Sequence, residues 1–277
     1  MKIIENKTEI QDFLKKIRKK NTKIGLIPTM GSIHEGHLSL IKNCQNLGYF
    51  SLVTIFVNPT QFNNKHDFDL YPRDYAKDKK SLEYINIDLL FIPTQEDLYP
   101  DGLKSEKTIF EYRNILCDIY RPDHFDGVTT VVSSIFNLIS PDHVFFGEKD
   151  FQQLKIIQKI IDNNRMPVVM HPCASTRMPN GMSYSSRYVN FLILEEKIFN
   201  EVADSLMLSI IKLRKKINIR ILKTLKYQLE EKNEIKIDYL EVRDEITLLP
   251  TSENINARLF VAFYINKIRI IDNFILY

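Results

Sequence analysis

The strongest constraint on how this chain can fold is a rhythm. Up to about residue 172, short apolar runs alternate with longer amphipathic ones. "KIGLIP" (23–28) reads as a buried strand, and residues 34–48 follow as a helix with Leu38, Leu40, Ile41, Cys44 and Leu47 on its inner face. "SLVTIFV" (51–57) is a second strand, helical sequence covers 73–86, and "IDLLFIP" (87–93) is a third strand. "VTTVVSSIFNLI" (128–139) fits either period, and its length with the following Ser-Pro favours a helix. "HVFFG" (143–147) is a strand, 150–163 a helix and "PVVMHP" (167–172) a strand. Strands spaced by helices of about 10–15 residues predict right-handed βαβ units and a parallel sheet.

From about 190 the texture changes. A long amphipathic helix is expected over 194–217 and a shorter one over 221–232. "IKIDYLEVRD" then alternates with period two, and "RLFVAFYINKIRIIDN" reads as two strands joined at Asn266 and Lys267. The expected fold is therefore α/β: a Rossmann-like parallel sheet flanked by helices over 1–175, with a smaller α+β domain over 176–277.

Bulk properties exclude several classes. The 277 residues, 44% hydrophobic and 26% charged, suit an ordinary water-soluble globular protein. Thirty-eight basic residues are nearly matched by 35 acidic ones, so a nucleic-acid partner is not expected. "KKIRKK" (15–20) and "KLRKK" (212–216) lie in helical patterns and read as solvated faces. No run of 18 apolar residues occurs, so no membrane span is expected. The N-terminal sequence is unlike a signal peptide. Three cysteines without a CxxC pair fit reduced thiols in the cytoplasm.

The candidate chemistry starts at "IPTMGSIHEGHLSLI" (27–41), where two of the six histidines and two of the eight glycines fall within seven residues, at a strand end and helix start. In an open parallel sheet, ligands bind beyond the carboxyl ends of the strands. A helix N-terminus there suits phosphate. Gly31 would let a ligand near the backbone, and His34 and His37, at i and i+3, would share one helix face. GxGxxG, the Walker loop and HExxH are all absent. A two-histidine metal site or incidental surface histidines remain as alternatives. "TIFVNPTQFNNKHDFDLYPRD" (54–74) brings Asn58 and Gln61 to the same edge, where neutral amides can take a carboxylate or hydroxyls; Asn-Pro is otherwise a plain turn signal. "FFGEKDFQQL" (145–154) offers Gly147 at a turn, Lys149 for a phosphate, Asp150 as a helix cap or ribose ligand, and Gln153 one turn on. "SYSSRY" (183–188) could place Ser185, Ser186 and Arg187 against phosphates.

HxGH at the first helix of such a sheet resembles the nucleotidyltransferase superfamily. PTMGxxHEGH, FVNPxQF…DFDxYPR, HFxGVxTVV and FFGEKDFQQL, occurring here in that order, resemble the pantoate–β-alanine ligase family more specifically. "YLEVRDEITL" and "VAFYINKIRIIDN" continue the likeness toward the C-terminus. The resemblance implies ligation of (R)-pantoate to β-alanine through a pantoyl adenylate, with ATP as co-substrate, Mg²⁺ as cofactor, and release of pyrophosphate and AMP. It implies His37, His34 and Lys149 as catalytic residues, His37 being the usual proton donor. ATP would be bound by Met30, Gly31, His34, His37, Gly147, Glu148, Lys149, Asp150, Thr176, Tyr184, Ser185, Ser186 and Arg187. Thr176 holds a position that contacts adenine through its backbone. Asn58, Gln61 and Gln153 would bind pantoate, and Gln61 also β-alanine. It further implies a cytoplasmic homodimer whose C-terminal domain closes over the site; it assigns no Mg²⁺ ligands.

The sequence departs from the family's pattern over "STRMPNGMSYSSRYVNF" (175–191). Met178 stands for an acidic residue, Asn180 for Asp and Tyr184 for Met or Leu, and two residues are missing after Arg187. Asp126 stands where Arg is common. These changes bear on the phosphate-contacting loop and leave open two alternatives: another nucleotidylyltransferase on the same fold, or a relative that has lost catalysis.

Overall fold

The computed structural model describes every residue except Lys107. The chain packs as two compact units: Met1–Arg113 with Arg121–Ser175, and Asn114–Tyr120 with Thr176–Tyr277.

The first unit runs β1 (Lys2–Ile4), α1 (Lys7–Arg18), β2 (Ile24–Thr29), α2 (Glu35–Asn46), β3 (Phe50–Ile55), α3 (Lys65–Asp69), α4 (Tyr75–Tyr84), β4 (Leu89–Phe91) and α5 (Gln95–Leu98). The short α6 (Cys117–Tyr120) belongs to the second unit. The first resumes with α7 (His124–Ile139), β5 (His143–Gly147), α8 (Phe151–Asn163) and β6 (Val169–Cys173). Its six strands are all parallel and ordered β1-β4-β3-β2-β5-β6. The parallel sheet expected from the rhythm is thus present. Its edge strand β1 was not expected, because "KII" lacks the longer apolar run that marks the equally short β4 in "IDLLFIP".

Period two explains why both sheet faces are covered. Leu26, Leu52, Val144 and Phe146 point into one core, shared with residues of α1, α7 and α8. Their neighbours Ile27, Val53 and Phe145 point into the other, shared with residues of α2 and α4. The ambiguous segment 128–139 lies in α7, whose twelve buried residues wrap most of its circumference. A helix buried on nearly all sides carries no clean 3.6 period, so periodicity alone left it open.

The second unit packs α9 (Ile193–Lys215) and α10 (Ile219–Glu230) around the antiparallel sheet β7 (Ile235–Asp244), β8 (Ala257–Ile265) and β9 (Ile268–Ile275), with β8 central. β8 and β9 join tightly at Asn266, which takes φ +51°. Asn tolerates that left-handed conformation better than most residues.

Candidate functional site

Strand order locates the site within the first unit. From β2 the chain moves outward to β3 and β4, then returns to lay β5 on the other side of β2. The carboxyl ends of β2 and β5 therefore flank a topological switch point, where the two crossovers leave a crevice. β2 ends at Thr29 and leads into the glycine–histidine loop, while β5 ends at Gly147 and leads into the GEKD turn.

The loop after β2 is built around a carboxylate. Asp78, buried on α4, accepts the Ser32 N–H at 2.8 Å and the Ile33 N–H at 2.6 Å. Gly31 has φ +82°, and a Cβ there would lie 2.9 Å from Asp78 Oδ2, so glycine is required twice over. His34 is the N-cap of α2 and not part of the helix, which corrects the expectation that both histidines lie on one helical face. Its Nδ1 accepts the Gly36 N–H at 3.1 Å, and His37 Nδ1 accepts the His34 N–H at 3.4 Å. The two rings stack with centroids 4.0 Å apart.

These bonds fix the chemistry of the pair. A neutral imidazole carries one proton; with Nδ1 accepting, that proton sits on Nε2. Burial, then His37 and the Lys149 ammonium, lowers the His34 pKa to about 2. Burial, then Lys149, lowers His37 to about 4, with Asp150 opposing. Near neutrality both histidines are uncharged N–H donors at a helix N-terminus, and the positive charge beside them belongs to Lys149. Together they form an anion-binding corner.

The turn after β5 contributes Glu148, Lys149 and Asp150 in one 3₁₀ turn. Asp150 stands at the N-cap of α8, but its side chain makes no capping bond, so the cap reading does not account for it. Gly147 has an ordinary negative φ, and a Cβ there would meet nothing within 4 Å. The backbone does not demand a glycine at this position; its absent side chain leaves open space. Gln153 lies partly buried in the first turn of α8.

The amides of the VNPTQF stretch sit on the 3₁₀ turn Pro59–Gln61. Asn58 is 1% exposed, and Gln61 is 8% exposed with Nε2 at 3.0 Å from Met30 Sδ. That contact joins the amide turn to the loop after β2. The Gln61 backbone carbonyl accepts from His124 Nδ1 at 2.7 Å and from Arg121 at 3.1 Å. Asp126, expected as a departure, is buried and ion-paired with Arg113 at 2.5 Å, so its charge is balanced locally.

The remaining candidates belong to the second unit. Residues 176–184 form a hairpin: Arg177 bridges Ser183, and Tyr184 N–H donates to Thr176 O at 3.3 Å. Ser183 N–H and Oγ both donate to the buried Asp272, which also pairs with Arg177. Asn180 makes use of being an amide. Its Oδ1 accepts the Met182 N–H at 3.1 Å and its Nδ2 donates to Asn200 Oδ1 at 2.8 Å. Met178 packs against this unit's core. Ser185 caps the 3₁₀ turn Ser186–Asn190 by accepting the Arg187 N–H at 3.4 Å. The shortened segment closes on a cluster of Tyr188, Phe191 and Phe199.

Two contributors had no sequence signal. Asp78 looks like one charge among many in "YAKDKKSLEY", and Tyr99 donates to Asn58 Oδ1 at 2.7 Å from a loop 41 residues away. Among the described residues, no group of three or more His, Cys, Asp or Glu could hold a metal, and no helix is long and apolar enough to cross a membrane.

A Rossmann-like sheet with an anion corner at its switch point defines a nucleotide-handling α/β protein. Comparison with known proteins makes the class specific. The profile of the family described as Pantoate-beta-alanine ligase matches residues 2–275. The chain is 38% identical to the pantothenate synthetase of Sulfurihydrogenibium sp. strain YO3AOP1, with 99% of each chain covered. It is also 38% identical to that of Thermotoga petrophila, with both chains covered in full. A solved pantoate-beta-alanine ligase from Francisella tularensis, complexed with beta-gamma ATP and beta-alanine, superposes with TM-score 0.87 at 33% identity, covering 100% of this chain and 98% of that one. The pantothenate synthetase structure from Thermus thermophilus gives 0.91 at 31%, with both chains covered in full. This chain belongs to the pantoate–β-alanine ligase family.

Proposed function

We propose that this chain carries out its family's reaction, the ATP-dependent ligation of pantoate to β-alanine, with the residues gathered at the β2–β5 switch point. In the first half-reaction, a pantoate carboxylate oxygen attacks the α-phosphorus of ATP. The bond to the bridging oxygen breaks, and pyrophosphate leaves with the electron pair. In the second, the β-alanine amine attacks the acyl carbon of the adenylate, loses a proton, and expels AMP. The observation that carries this reading is the juxtaposition of a phosphate-type corner with an amide turn through the Met30–Gln61 contact.

The roles follow from the donors. His34 and His37 offer Nε2–H bonds to the departing pyrophosphate, and Lys149 supplies charge. In the ligand-free chain His37, its pKa lowered chiefly by burial, is uncharged near neutrality and donates through Nε2–H. Met30, Gly31, Gly147, Glu148 and Asp150 complete the ATP site on the first unit. Thr176, Tyr184, Ser185, Ser186 and Arg187 are its proposed contributors from the second, which we assign the role of a lid that keeps water from the adenylate. Asn58, Gln61 and Gln153 serve pantoate, and Gln61 also β-alanine. An amide set fits a carboxylated hydroxy acid better than a phosphorylated acceptor, which favours the ligase over another nucleotidylyltransferase.

Mg²⁺ is proposed as the cofactor. Mg²⁺ is generally held by one or two carboxylates together with substrate phosphates. Glu148 and Asp150 are the carboxylates of the turn that carries Lys149, Asp150 lying 3.8 Å from its ammonium, and the ion would neutralise triphosphate charge. Three free cysteines support a cytoplasmic location, and family membership supports a homodimer, to be checked by light scattering.

Pyrophosphate–ATP exchange tests the first half-reaction. Labelled pyrophosphate should enter ATP when pantoate is present and β-alanine absent. His37→Ala should cut the exchange by about 100-fold or more. Exchange without pantoate, or full exchange in His37→Ala, would refute the assignment.

A further inference from the structure

The hydrogen bonds around Asn58 have a direction. Gly127 O can only accept, and it lies 3.1 Å from Asn58 Nδ2. That fixes the Asn58 amide with Oδ1 on the other side, where it accepts from Thr60 N–H at 3.4 Å, Thr60 Oγ at 3.1 Å and Tyr99 O–H at 2.7 Å. The second Nδ2 proton then points at Gln61 at 3.2 Å, where only an acceptor is tolerated, so Gln61 Oε1 must face inward. Gln61 Nε2 is consequently turned toward Met30, whose thioether is a weak acceptor. Asn58 is 1% exposed, and its amide protons and its oxygen are all engaged with the protein.

We infer that Tyr99 and Asn58 are positioning residues for substrate acids: they lock the Gln61 amide so that it offers N–H bonds to a carboxylate or hydroxyl oxygen. Asn58 thereby serves pantoate through Gln61, without touching it. This rests on the proposed function and deepens it. Tyr99 is 5% exposed, and its hydroxyl holds the Asn58 oxygen that must not rotate. A flipped Gln61 would set its carbonyl oxygen against the substrate's own oxygens.

The test is Tyr99→Phe, alone and combined with Gln61→Ala. Loss of one buried hydrogen bond is worth about a fivefold effect. Tyr99→Phe should raise the pantoate KM about that much, leave the ATP KM within twofold, and add nothing in the Gln61→Ala background. A multiplicative effect in the double variant, an equal rise in the ATP KM, or no change would overturn the inference. The side-chain amide protons of Gln61, followed by NMR without substrate, give a second readout. In the unmutated protein they should show one orientation, and in Tyr99→Phe they should broaden or split; unchanged signals would also overturn it. If the unmutated protein shows no pantoate-dependent exchange, the proposed function falls, while the NMR readout still judges the lock.

Discussion

His34 and His37 each accept a backbone N–H of their own turn at Nδ1, which places the imidazole proton on Nε2. Their burial has a measurable cost in acid. In the unfolded chain both imidazoles take up protons near the ordinary value of 6.5, whereas in the folded chain His37 resists to about 4 and His34 to about 2. Below 6.5 the unfolded state therefore binds more protons, and stability is full above that pH and falls as pH drops through the window. His143 and His171, bonded to each other at 3.0 Å and lowered chiefly by burial, act in the same direction. Denaturant midpoints measured at pH 7 and pH 5 should show this loss, and His34→Gln/His37→Gln should reduce it; identical losses would contradict the assignment. The histidines were legible in the sequence because spacing and a flanking glycine marked them. Asp78 was not: a carboxylate that caps a loop 45 and 46 residues earlier looks, in one dimension, like any solvated helix charge.

The element that positions the amides is the 3₁₀ turn Pro59–Gln61, seated on the first turn of α7. Gly127 is what permits the seating. A Cβ there would fall 2.4 Å from Thr60 O and 2.7 Å from Gln61 N. Gly127→Ala should push the turn away, costing about 1–3 kcal/mol of stability as overpacking. It should lower kcat/KM for pantoate more than for ATP, and an equal loss for both would argue against this placement. Strands and helices with a clear period or apolar run were readable, the three-residue β4 among them, while β1 and the short α6 carry neither signal clearly. The turn itself was visible as Asn-Pro, but its partner on α7 was not, because that contact spans about 69 residues of sequence.

At the scale of the whole molecule, the first unit gathers the histidine loop, the amide turn and the GEKD turn at one edge of a parallel sheet. The second holds the Ser-Ser-Arg segment directly after a hairpin tied to β9 through Asp272. The altered residues of that hairpin have structural roles there, Asn180 through both atoms of its amide and Met178 through the core. Their contacts show that the folded hairpin accommodates both substitutions. The segment Asn114–Tyr120 packs with the second unit, a long-range pairing that no local pattern announces. The central claim is that ATP cleavage here serves the joining of two acids. AMP release, followed with ATP, Mg²⁺, pantoate and β-alanine and with each acid omitted in turn, tests it most directly. Sustained release only when both acids are present is the predicted result; sustained release that persists without either one would contradict it.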